Sequence, residues 1–108
     1  MSLTPLSTDA YPAPTAVPAG VLAADQLAFN GPCLLFGWAA AETTGAAPAS
    51  LNLRDGGDTN STKIAPINLL ASESTRDWLG TPGLWCRQGV FADITAGSVD
   101  LVLDLTRL

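Results

Sequence analysis

"VDLVLDLTRL", residues 99–108, decides the fold class. Val99, Leu101, Leu103 and Leu105 fall on one side of an extended chain, and Asp100, Val102, Asp104 and Thr106 fall on the other. A period of two marks a strand with one face in a core and one toward water. "GS" at 97–98 supplies a tight turn ahead of it.

Working outward, "LWCRQGVFADITA" at 84–96 reads as one or two strands broken near Gly89. "CLLFGWAAA" at 33–41 reads as a buried strand, with Gly37 a bulge or a close backbone approach. "SLNLR" alternates at Leu51 and Leu53, and "DGGDTNS" at 55–61 is a hairpin or longer loop. "TKIAPINLLA" at 62–71 is a further strand, which Pro66 confines to an edge or a bulge because proline cannot donate to a ladder. "GVLAADQLAF" at 20–29 places Leu22, Leu27 and Phe29 ahead of the turn "NGP". "SESTRDWLGTPG" at 72–83 reads mostly as connection, with at most a short helical turn between Leu69 and Leu79. Six to eight short strands separated by turn residues predict an all-β chain. The expected form is an antiparallel, jelly-roll-like β-sandwich.

The first nineteen residues differ in kind. "MSLTPLSTDAYPAPTAVPA" carries Pro5, Pro12, Pro14 and Pro18, which rules out helix and central strand. The expected organisation is an extended arm over 1–19 and a sandwich domain over 20–108. Such an arm serves as a solvated tail or as a strap along a neighbouring subunit, with Leu3, Leu6 and Tyr11 as its anchors. A proline-stiffened segment loses less entropy on ordering.

The chain has 108 residues, enough for one domain. Charged residues are 14% of it and the net charge is −5, with one lysine and four arginines. No basic run offers a footprint for phosphates, so nucleic acid and anionic membrane are not expected partners. The apolar run from Cys33 to Ala41 falls far short of the roughly 20 residues a membrane span needs. No basic, then apolar, leader opens the sequence, so synthesis in a host cytoplasm is expected.

Without histidine the usual acid–base and triad chemistries have no base. Glu73 and Asp77 lie near each other in the sequence and Asp93 follows in the next strand region, but short loops give little material for a cleft between them. "DGGDTN" fails as a calcium loop, because alternate ligand positions fall on Gly57 and the twelfth on Pro66. Two thiols and no imidazole argue against zinc. The expectation is no enzyme, no cofactor and no metal site. Cys33 and Cys86 read as buried thiols, with a bridge between two sheets as the alternative. Trp38 and Trp85 are expected in the core and Trp78 at a surface. Arg76, Asp77 and Trp78 read as a structural corner and a candidate interface.

Several of these pieces form a frame: Gly37-Trp38, Glu42 to Gly45, Asp55-Gly56, Ser74 to Trp78, and Gly97 to Val99. Over roughly residues 30–105 this frame resembles small proteins of tailed bacteriophages and prophages, particularly of actinobacteria. The resemblance implies a virion structural component and brings no catalytic residue with it. The expectation is a capsid decoration (cement) protein on the capsid surface, whose partners are the major capsid protein and itself. The expected assembly is a homotrimer, one of the closed symmetries that dominate oligomers. A low-copy head or tail accessory protein and a carbohydrate-binding fibre module are the alternatives.

Overall fold

The computed structural model describes residues 14–80 and 82–108. Among these there are nine strands and no helix: β1 (Thr15–Leu22), β2 (Gln26–Asn30), β3 (Cys33–Glu42), β4 (Ala49–Asp55), β5 (Thr62–Leu69), β6 (Ser74–Trp78), β7 (Leu84–Cys86), β8 (Gly89–Ala96) and β9 (Val99–Arg107). One sheet has the order β1-β9-β3-β6, with β7 also on β3; the other has the order β2-β8-β4-β5. Every pairing is antiparallel.

The alternation in β9 is the reason the first sheet has an inner face. Val99, Leu101, Leu103 and Leu105 are all buried, while Asp100, Val102, Asp104 and Thr106 point away. They meet Leu51, Leu53, Ile67, Val90 and Ala92 of the opposite sheet in a single core. Burying each leucine contributes about 1.5–3 kcal/mol before the entropy of ordering is subtracted.

β3 is more than a buried run. Cys33 and Leu35 face the core, and so do Trp38 and Ala40, so the inward phase slips by one residue between them. The slip is a bulge at Leu35–Gly37 against β9. Gly37 belongs there for lack of space: a Cβ on it would lie 2.2 Å from the Asp77 carbonyl oxygen. Both readings of Gly37 therefore hold together.

Three expectations change. β1 begins at Thr15, so residues 15–19, assigned to the arm, lie in a strand against β9. Its proline is tolerated because β1 is an edge strand and Pro18 sits at its bulge. Ser74 to Trp78 is a paired strand rather than a corner, and with β1 it raises the count to nine. Cys33 and Cys86 share one sheet as cross-strand partners, so a bridge between sheets is ruled out. Pro66, as expected, lies in the edge strand β5.

Candidate functional site

β6 and β7 lie end to end along the same edge of β3. β6 pairs with Gly37 to Ala41 and β7 with Cys33 to Leu35. The connection between them folds back onto β3, and the Leu79 amide donates to the Phe36 carbonyl at 2.6 Å. Gly83 packs in the same corner with φ +85°, a conformation side chains rarely adopt, and a Cβ there would meet the Leu35 carbonyl at 3.0 Å.

The β3 bulge turns Phe36 out of the main core. It is 1% exposed all the same, because Trp78 covers it, ring centroids 5.8 Å apart and planes 22° from parallel. Trp78 itself is 57% exposed. Trp85 is 55% exposed, against the expectation of a core residue. It sits beside buried Cys86, and period two sends neighbours in a strand to opposite sides. Arg87 lies over the Trp85 ring at 4.7 Å, a cation–π contact.

Between this edge and β5 of the other sheet runs a groove of about 360 Å³, lined by Trp38, Ile64, Ala65, Leu79, Gly83 and Leu84. Leu79 and Leu84 are partly exposed on its wall. Trp38, which also lines it, is buried, and its inaccessible indole Nε1–H has no acceptor among the described residues. A buried donor left unpaired costs about 1–3 kcal/mol.

Of the candidate interface residues, Arg76, Asp77 and Trp78 fall together on β6, all exposed. Arg76 reaches Asp104 at 3.8 Å, a surface pair worth little by itself. Leu3, Leu6 and Tyr11 lie outside the described residues. Sequence reading missed the groove and the exposure of Trp85.

The carboxylates do not gather. Asp93 is held by Arg54 in a two-donor contact at 3.0 and 3.1 Å, and the same guanidinium donates to the Ser61 carbonyl. Glu73 accepts from the Leu70 amide. Among the described residues no three metal-binding side chains cluster. No helix there is long and apolar enough to cross a membrane.

Glu42, at the head of the "ETTG" loop, is a structural pin. It is buried and accepts from the Thr44 hydroxyl and from the amides of Thr44, Gly45 and Ser72. The Thr44 hydroxyl first, then the Ser72 amide, hold its pKa down to about 2, against the opposing effect of burial. Ser72 has φ +62°, and its bond to Glu42 helps to hold that turn.

Cys33 and Cys86 are both free and fully buried, and stand opposite each other in the pairing of β3 with β7. The partner thiol, then burial, push Cys86 well above the usual thiol range.

No family model, curated protein or solved structure matches the chain. The resemblance to phage virion proteins gains no support from these comparisons.

Proposed function

We propose that the protein is a structural component of a bacteriophage virion, a decoration protein that binds the outer face of the major capsid lattice and stabilises the head. The observation that carries this reading is the exposed apolar edge of Trp78, Leu79, Leu84 and Trp85. Large aromatic rings flanked by arginine are the side chains that dominate protein–protein interfaces. The charged residues Arg76 and Asp77 border the patch and would set its orientation on a partner.

The strand orders add support. The pairings β1·β9, β2·β8, β3·β6 and β4·β5 nest inside one another, as they do when a long antiparallel ribbon is rolled into two sheets. We read this as a jelly roll, an architecture found in viral capsid and lectin domains. That step is an analogy of fold. On a lattice many copies add modest interfaces, so no single contact has to be strong. The subunits would form a closed trimer, each reaching a neighbour with the proline-rich segment ahead of β1.

Quantitative mass spectrometry on gradient-purified virions tests the reading. A ratio to the major capsid protein near one, or a simple fraction such as one third, is the expected result. A few copies per particle would move the protein to the tail or connector.

A carbohydrate-binding fibre module is the second reading, favoured by the exposed rings of Trp78 and Trp85, which suit stacking on sugars. Titration of tryptophan fluorescence with cell-wall sugars tests it, and a flat response at millimolar sugar sinks it.

A further inference from the structure

We infer that Cys33 and Cys86 form a redox latch: in an oxidising medium they close to a disulfide that fastens β7 to β3. The inference does not depend on the reading above.

The chain has two cysteines, and the fold puts both on one rung of one sheet. Residues opposite each other in an antiparallel ladder send their side chains to the same face. Both thiols belong to the same core cluster and both are 0% exposed, so they share one dry site. Opposite Cα atoms in such a ladder lie about 4.5 or 5.5 Å apart, by the kind of rung. Both values fall within the roughly 4.4–6.8 Å that disulfides span. Closure draws the two Cβ atoms together by about 1 Å. Two buried thiols that served only as small hydrophobes would have no need of a common rung.

The two strands differ in how firmly they are held. Cys33 lies in β3, which is laddered to β9 on its other side. Cys86 lies in β7, three residues long, paired with β3 and lying between Gly83 and Gly89. A short edge strand supplies the small shift that closure needs, and it is also the element most in need of fastening. β7 carries Leu84 and Trp85, which are exposed, so the bond would fix that part of the surface.

The oxidant is a low-molecular-weight disulfide. One cysteine gives up its proton and its thiolate attacks a sulfur of the reagent, which forms a mixed disulfide and expels one reagent thiolate. The second cysteine, deprotonated in turn, attacks the protein sulfur of that mixed disulfide and expels the other. The protein loses two hydrogens, and the reagent is reduced to two thiols. Burial makes both steps slow in the folded chain, so the latch closes as the chain folds or during release of β7. A reducing cytoplasm keeps it open, and an oxidising medium closes it.

The test uses the full chain, unfolded and reduced in urea, then diluted into buffers with a series of oxidised to reduced glutathione ratios. A parallel series keeps the urea. Alkylation in urea followed by intact mass separates the open form, which takes two labels, from the closed form, which takes none. The expected result is a closure constant at least tenfold larger in the folded series than in the unfolded one. By the same thermodynamic cycle the unfolding constant of the closed chain is lower by that factor, read as a higher urea midpoint that a reductant reverses. Hydrogen exchange at the amides of β7 should slow at least tenfold on closure. Equal closure in the two series would overturn the inference, because the fold would then do nothing to bring the thiols together. Glutathione adducts in place of the bond, or a closed chain with the lower urea midpoint, would overturn it as well. A closed chain whose β7 amides exchange as fast as before would show a bond that fastens nothing, and would overturn the latch.

Discussion

The ring of Trp78 lies over Phe36 on the outer side of the β3 edge, and so keeps a phenylalanine dry outside the main core. Trp78→Ala uncovers Phe36 and removes one aromatic pair. The expected loss is about 1–2 kcal/mol, less than for a fully buried tryptophan, since Trp78 is itself half in solvent. Urea denaturation of the two proteins checks it. If the decoration reading is right, the folded variant also fails to bind capsids.

Gly37→Ala is the test of close packing at the bulge. The added methyl would meet the Asp77 carbonyl at 2.2 Å, so β6 has to move off β3. We expect a loss of about 1–3 kcal/mol. Hydrogen exchange should accelerate at the β6 amides and stay slow along β9. Unchanged protection at β6 would contradict the geometry.

The Glu42 pin predicts a pH dependence with a definite sign. Its pKa is about 2 in the folded chain, below the ordinary 4.5. The unfolded state therefore binds the proton more readily, and stability from this group is present above pH 4.5 and lost as pH falls toward 2. Glu42→Gln removes the charge and one strong acceptor. The variant should melt below the wild type at pH 7, and the gap should narrow between pH 4.5 and 2. A gap that stays constant across that window would mean the charge contributes nothing.

The Cys33–Cys86 pair should be silent in the native protein. Both thiols are inaccessible, and Cys86 is held protonated, while alkylation needs an exposed thiolate. Iodoacetamide at pH 8 is expected to label neither until denaturant is added, when both react. Rapid labelling of the folded chain would show that β7 opens readily.

The parts of the fold that could be read from the chain are those where side-chain burial and backbone pairing coincide. Leu101, Leu103 and Leu105 in β9 write their pairing into an apolar period. β6 does not: Arg76, Asp77 and Trp78 are exposed at an edge, and the strand is held by its ladder to β3 and by the Phe36 contact. The surface position of Trp85 is hidden in the sequence because its neighbour Cys86 is apolar and buried, while pleating sends the two to opposite sides. β1 was obscured by its proline, which a bulged edge strand accommodates. The groove had no local signal, because Trp38, Ile64 and Leu84 come from three strands far apart in the sequence.

The pairing of β1 with β9 also dictates when this protein can fold during synthesis. Thr15 finds its partner in Leu105, so the first of the described strands waits for the last. At roughly 5–20 residues per second, the ribosome holds the nascent chain for seconds with "CLLFGWAAA" uncovered and the closing strand unmade. The emergence of β9, and not of any earlier segment, is the event that lets the first sheet close. A chain cut before Leu105 would lose the rungs on which β1 starts, and would present unpaired edges on β1 and β3 to its neighbours.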